Sequence, residues 1–217
     1  MIVDLNLKGN LVIVVGGGVE GMKKVNSLLT QDCKILVISD KINTQLANYV
    51  KQEKIKFKKI KLKDGNFLEK YKPFLVMAAT DDRKINRKII QKARKMNCLV
   101  YASDDPEVSD FAHPSVINIE DTIQIAISTG GKSPAMARKL SLQTEKMFKK
   151  IIKKEDIYQI KLQEIARDAA KKTIPTQLER KKFLYSILND KSIKQLIKDN
   201  KLKKAQQMAM LMLRKWK

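Results

Sequence analysis

Gly16, Gly18 and Gly21 are spaced as GxGxxG directly after the apolar run Leu11 to Val15. In such a loop the first glycine permits the turn, the second lets backbone approach a pyrophosphate, and the third lets helix and strand pack closely. The helix N-terminus then faces the phosphates. The spacing alone also fits a bare turn between strand and helix. Its surroundings favour a dinucleotide cradle: a strand pattern precedes, a helical pattern follows, and Asp40 ends the second strand pattern, where a carboxylate can accept hydrogen bonds from both ribose hydroxyls. The same carboxylate would repel a 2′-phosphate, so NAD is expected over NADP. Against this, Lys41 could swing toward a phosphate, and Asp40 could simply begin the turn SDKIN.

Further along, FLVMAATDDRKIN sets Ala78, Ala79 and Thr80 at the end of an apolar run, the crevice position for ligands in open parallel sheets. Asp81 and Asp82 most simply cap the helix that follows. In LVYASDDPEVSDFAHPS, the residues Ser103, Asp104 and Asp105 end another apolar run before Pro106, and an acid there serves equally well as a base or as a turn cap. His113 reads as a loop or packing histidine. It is the only histidine, and Cys33 and Cys98 stand far apart in apolar surroundings, so the inventory builds no structural zinc site and the thiols read as packing residues.

These residues need a scaffold, and the pattern supplies one. Up to residue 117, apolar runs (LVIVVG, KILVIS, IKFKKI, FLVMAAT, LVYASD) alternate with helical stretches at 21–31, 43–53 and 82–96. Runs apolar on both faces belong to a parallel sheet covered on each side by helices, a Rossmann-like α/β fold for residues 1–117. Residues 118–151 form a second segment. SVINIEDTIQIAI reads as two strands turning at Glu120 and Asp121, and a helix follows, capped by Ser133, with Pro134 in its first turn and apolar spacing through Ile151. Such a unit suits pairing across a dimer. From 152 to 217 no strand signal remains. Ile157, Ile160, Leu162, Ile165, Leu178, Phe183, Leu184, Ile187, Leu188, Ile193, Leu196 and Ile197 recur at helical spacing, with breaks at Thr173, Pro175 and Asn189–Asp190, so a small helical domain is expected.

No apolar run reaches the roughly 20 residues of a membrane span, and the first ten residues lack a secretory pattern, so a cytoplasmic protein is expected. The formal net charge of +22 favours polyanions. Lysine outnumbers arginine and is spread along the chain, with no aromatic stacking stripe or helix-turn-helix pattern, which argues against nucleic acid.

Taken in order, VVGGGVEGMKKVNSLL, AATDDRKIN, ASDDPEVSDFAHPSVI and ISTGGKSPAMARKL resemble the precorrin-2 dehydrogenase family, the dehydrogenase and ferrochelatase portion of siroheme synthase. The resemblance spans residues 1 to about 145, and more loosely the helical tail. It implies NAD-dependent oxidation of precorrin-2 to sirohydrochlorin, with ferrous iron insertion in some members, and a homodimer joined through the middle segment. It implies cofactor contacts from Gly16, Gly18, Val19 and Glu20, a ribose site at Asp40 and Lys41, and Thr80 lining the crevice. The family's important aspartate, in NVVDxP, falls on Asp104, although this chain reads YASDDP there. Its second strand ends in Ser39-Asp40, where many members have a small residue and proline. Ser128 and Thr129 match the family's serine-rich turn, as a modified hydroxyl, as substrate contacts or as a simple turn. The charge then acquires a purpose, because precorrin-2 is a polycarboxylate, and Lys132, Arg138 and Lys139 are candidate partners for it. The competing expectation is a non-enzymatic NAD(H)-sensing regulatory module.

Overall fold

The computed structural model describes residues 2–216, and the chain divides into two compact units, Met1–His113 and Pro114–Lys217. The first is a five-stranded parallel sheet in the order β3-β2-β1-β4-β5. Its elements follow the apolar runs: β1 (Leu11–Val15), α1 (Val19–Leu28), β2 (Lys34–Ser39), α2 (Thr44–Lys51), β3 (Lys56–Lys59), β4 (Leu75–Ala78), α3 (Arg83–Lys95) and β5 (Leu99–Ala102).

Alternation along the strands explains why the runs are apolar throughout. Ile13, Val15, Leu36, Ile38, Val76, Ala78, Val100 and Ala102 point to the face covered by Ile89, Ile90 and Ala93 of α3. Val12, Val14, Ile35, Val37, Leu75 and Met77 point to the face covered by Val25 and Leu28 of α1 and Leu46 of α2. With both faces buried, each strand residue removes apolar surface from water, about 25 cal/mol per Å². The strand order reverses beside β1: the chain leaves β1 toward β2 and returns through β4 on the other side. The crevice of an open sheet lies at the carboxyl ends of the strands where this reversal occurs.

The two outer strands are finished differently. On β3, Lys56, Lys58 and Lys59 are exposed and Phe57 is half-buried. Beyond β5 the chain folds back along the free edge. Asp110 accepts from Val100 N at 2.8 Å and its own amide donates to the Val100 carbonyl at 2.9 Å, while Ser109 Oγ accepts from Ala102 N at 3.0 Å. β5 ends at Ala102, where its pairing with Ala78 at the end of β4 ends, short of the expected extension through Asp104. Asp105 turns the chain by capping the short 3-10 turn Pro106–Val108, its side chain accepting from Glu107 N.

In the second unit β6 (Ser115–Ile119) and β7 (Ile123–Ile127) form an antiparallel pair, closed by Glu120 and Asp121 at φ 52° and 47°, the turn expected from the sequence. Then come α4 (Pro134–Ile151), α5 (Lys154–Thr173), α6 (Gln177–Asn189), α7 (Lys191–Lys198) and α8 (Leu202–Arg214). Ser133 caps α4, accepting from Met136 N at 3.2 Å with Pro134 in the first turn. The expected division after residue 117 falls inside β6. That after 151 is spanned by one apolar cluster, in which Ile117 and Ile119 of β6 pack with Ile157 of α5.

The tail is helical as expected, and its core joins apolar residues of the expected set to alanines outside it. Phe183, Ile187, Ile193 and Ile197 are buried together with Ala166, Ala170, Ala205 and Ala209, small residues that let the helices approach. Ile160, Ile165, Leu178 and Leu188 lie on exposed faces. A further break separates α7 from α8, where Asn200 takes φ 58°. Asparagine tolerates this left-handed conformation and ends a helix without proline or glycine.

Candidate functional site

At the carboxyl end of β1 the chain turns through three consecutive glycines. Gly16 has φ 120°, and a Cβ there would lie well under 3.0 Å from the carbonyl oxygen of Ala79, past the end of β4. A Cβ on Gly17 would collide with the carbonyl oxygen of Lys41, and one on Gly21 with that of Gly16. Gly18 differs, since nothing of the chain lies within 4 Å of where its Cβ would be. The first and third glycines of the motif are thus required by the chain itself. The second faces open space at the N-terminus of α1.

That terminus has no side-chain cap among the described residues: Gly18 occupies the cap position in extended backbone, with Val19 and Glu20 exposed in the first turn. Amides there have no helical acceptor, and the helix dipole adds partial positive charge. Glu20 pairs with Lys23 on the same helix. Asn43 fixes the loop from the side. Its amide N–H donates to the Gly17 carbonyl at 3.0 Å, its Nδ2 donates to the Gly18 carbonyl at 3.3 Å, and its Oδ1 caps α2 by accepting from Leu46 N at 2.9 Å. Asp40 lies exposed one residue beyond β2, touched by Ser39 Oγ at 3.4 Å, and Lys41 is exposed beside it. The loop therefore offers anion-binding amides at one end and a free carboxylate on the neighbouring strand, an arrangement that fits a dinucleotide.

On the other side of β1 the ends of β4 and β5 are joined by the last residue of AATDDRKIN, whose role the spacing alone does not reveal. Asn86 of α3 is 1% exposed. Its Oδ1 accepts from Thr80 Oγ1 at 2.6 Å and Thr80 N at 3.2 Å, while its Nδ2 donates to the Thr80 carbonyl at 2.9 Å and to Asp104 Oδ1 at 3.1 Å. Arg83 flanks Asp104 with Nε 3.6 Å from Oδ2, and its Nη2 donates to the Asp104 carbonyl at 3.1 Å. The neighbouring Asp105 is buried, 3.2 Å from Arg87 Nη2. Asp82 caps α3 through Lys84 N and Ile85 N, whereas Asp81 is exposed and makes no cap. Thr80 and Asp104 are thereby brought together, and the two adjacent aspartates are separated in role: Asp105 faces inward as a structural anchor, and Asp104 stands at the crevice.

His113 packs edge-on against Tyr101, ring centroids 4.8 Å apart, with Phe111 and Lys24 alongside. Loss of hydration in this cluster, helped by the Lys24 charge, lowers its pKa to about 4. Cys98 is buried, Cys33 is half-buried, and burial raises both thiols above their ordinary value, as for packing residues. In the second unit Ser128 Oγ accepts from Gly130 N at 3.2 Å and Thr129 Oγ1 from Ser133 N at 2.9 Å, so both hydroxyls shape the turn before α4. Lys132 and Arg138 are exposed, and Arg138 and Lys139 line a shallow groove along α4 with Leu142 and Lys146. Among the described residues no cluster of three or more His, Cys, Asp or Glu side chains could hold a metal ion. None of the helices described is long and apolar enough to cross a membrane.

The doubly wound sheet, the glycine loop at its switch point and the open helix N-terminus define a dinucleotide-binding Rossmann-like protein. Comparison with known proteins agrees. The chain belongs to the family described as "Putative NAD(P)-binding", whose model matches residues 3–115, and residues 121–140 match a second model, "Sirohaem biosynthesis protein central". Among curated relatives, the siroheme synthase of Mannheimia succiniciproducens is 30% identical over 97% of this chain and 42% of that protein. Those of Neisseria meningitidis and Buchnera aphidicola are 29% and 30% identical over 93% and 91% of this chain, and 40% of each protein. The chain thus spans about two fifths of the length of these relatives. A solved structure named "SirC, precorrin-2 dehydrogenase" shares the fold, with a TM-score of 0.66 at 19% identity over 100% of both chains.

Proposed function

We propose that this chain oxidises precorrin-2 to sirohydrochlorin with NAD, as a cytoplasmic homodimer. The observation that carries the reading is the placement of Asp104 at the crevice, tied through Asn86 to Thr80 at the end of β4, with the open glycine loop one strand away. The names of the relatives and of the fold neighbour support the same chemistry.

The oxidation removes a hydride and a proton from the macrocycle. NAD, when bound, supplies the hydride acceptor. The residues of the chain do the rest. Backbone amides at Gly18, Val19 and Glu20 would hold the pyrophosphate, the approach left open because Gly18 has no side chain. Gly16 and Gly21 give the loop its shape. Asp40 accepts from the ribose hydroxyls and disfavours a 2′-phosphate, with Lys41 beside it. Thr80 lines the crevice between loop and carboxylate. Asp104, with Oδ1 held by Asn86, takes or steers the proton at Oδ2. Ser128, Thr129, Lys132 and Arg138 are the polar and basic groups offered to the substrate's carboxylates, and the net charge of +22 raises the encounter rate with a polyanion.

The alternative of a module that only senses NAD(H) is favoured by no observation of its own. The test is anaerobic incubation with precorrin-2 and NAD, which should give sirohydrochlorin absorbance and NADH in equal amounts. No turnover by folded, NAD-binding protein would overturn the reading. Ferrous iron added to the product tests chelation as a separate activity, and light scattering tests the dimer.

A further inference from the structure

We infer that Asn86 is a positioning residue, holding the Asp104 carboxylate in register with the cofactor-side end of β4; this rests on the role proposed for Asp104. A primary amide has two donor and two acceptor capacities, and burying it is costly unless they are met. Asn86 is 1% exposed and meets all four, on two residues only: three bonds to Thr80 and one to Asp104. The three bonds to Thr80 fix which end of the amide is which, because the Thr80 N–H needs an acceptor and the Thr80 carbonyl a donor. A flipped amide would put oxygen against oxygen at both the Thr80 carbonyl and Asp104. Nδ2 is therefore directed at Asp104 Oδ1.

The bonds to Thr80 would suffice to close the end of β4. The fourth does something else. The Asp104 side chain keeps 27% of its exposure, so water and Arg83 could satisfy it without Asn86. A bond from a buried, fully engaged amide instead selects one carboxylate rotamer, with Oδ1 inward and Oδ2 toward Arg83, 3.6 Å from Nε. Asn86 touches neither cofactor nor substrate in this scheme. It acts through Asp104, and its removal should misplace the proton acceptor without dismantling either binding site.

The test is a double-mutant cycle on the full chain, with kcat and KM measured for precorrin-2 at saturating NAD, NAD affinity measured separately, and thermal melting recorded for each protein. Asn86→Asp keeps the shape and an acceptor for Thr80 but places an oxygen where Nδ2 met the Thr80 carbonyl and Asp104 Oδ1, so it removes the donor to Asp104 and should also melt below the parent. It should lower kcat by on the order of 10- to 100-fold, as small misplacements of reacting groups do, with KM and NAD affinity changed by less than about threefold. Combined with Asp104→Asn, it should cost no further turnover, since the group it positions is already gone. If Asn86→Asp fails to fold, Asn86→Ser is measured in its place, a smaller residue that cannot reach Asp104. Full turnover in the Asn86 variant beside impaired Asp104→Asn, or losses that multiply in the double variant, would overturn the positioning role alone. Full turnover in Asp104→Asn would overturn the role of Asp104 and this inference with it.

Discussion

The carbonyl oxygen of Lys41 occupies the space in which a side chain on Gly17 would begin, whereas the corresponding space at Gly18 is open. Two adjacent glycines thus have opposite consequences. Gly17→Ala should force β1 and the segment after β2 apart and cost about 1–3 kcal/mol, the range for overpacking, seen as a lower denaturant midpoint. Gly18→Val should melt within about 1 kcal/mol of the parent protein, because its side chain meets no other part of the chain. It should nonetheless abolish NAD binding by filling the approach to the helix N-terminus. Unchanged NAD affinity in Gly18→Val would reduce the loop to a turn.

Asp40 makes a directional claim about the cofactor. Asp40→Ala removes a charged hydrogen-bond acceptor, worth roughly 1.5–3 kcal/mol, from the ribose site and should weaken NAD about 10- to 100-fold. NADP should lose less, or gain, because the repulsion of its 2′-phosphate disappears as well. Titrating both dinucleotides decides the matter; equal losses would remove Asp40 from the ribose site.

Asp104→Asn keeps size and most hydrogen bonding while removing basicity. Turnover should fall about 10²- to 10⁴-fold with NAD affinity nearly intact, the range for a positioned acid or base. Were Asp104 only a turn residue before Pro106, stability would drop by about 1 kcal/mol and turnover per folded molecule would be preserved.

His113 predicts a pH dependence of stability. Its folded pKa is about 4 against an ordinary 6.5, so between those values the unfolded chain binds the proton more readily. The contribution is complete above pH 6.5 and is lost as pH falls toward 4, with no further loss below that. Although the ring packs on Tyr101 and Phe111, the residue as a whole is exposed, and solvent screening keeps the effect modest. His113→Gln should flatten the difference in urea midpoint across this window relative to the parent, while the lost ring packing appears as a constant offset that is the same at about pH 8.

How much of this was legible beforehand depended on distance along the chain. The apolar runs revealed the sheet because both of its faces are buried, and GxGxxG marked the loop because its three roles are local. Gly17 stood outside that motif, and its requirement arises only when β1 and β2 pair and bring Lys41 beside it. Asn86 closes the AATDDRKIN stretch, but nothing in the spacing gives it a role. It is a single polar residue on a basic helix, and its partners at 80 and 104 become neighbours only through the pairing of β4 with β5. Hydrophobic spacing in the tail found the helices and much of the core, Leu162, Phe183, Ile187, Ile193 and Ile197, but not the alanines on α5 and α8 that carry the close packing, and it took in Ile160, Ile165, Leu178 and Leu188, which remain outside. The break before α8 was hidden because Asn200 makes it without proline or glycine.

The unequal finishing of the sheet's two margins bears on how the sheet resists edge-to-edge association. An unpaired strand is a template for β-aggregation. The Ser109–Asp110 return occupies the backbone groups of Val100 and Ala102, leaving the β5 margin with little to offer an incoming strand. The β3 margin has no such cover among the described residues and carries lysine at three of its four positions. A second copy docking there edge to edge would bring like charges together, which disfavours growth of a fibril from this margin. Lys56→Thr with Lys58→Thr should accordingly leave NAD binding untouched and shorten the lag before thioflavin-positive aggregates form on gentle heating.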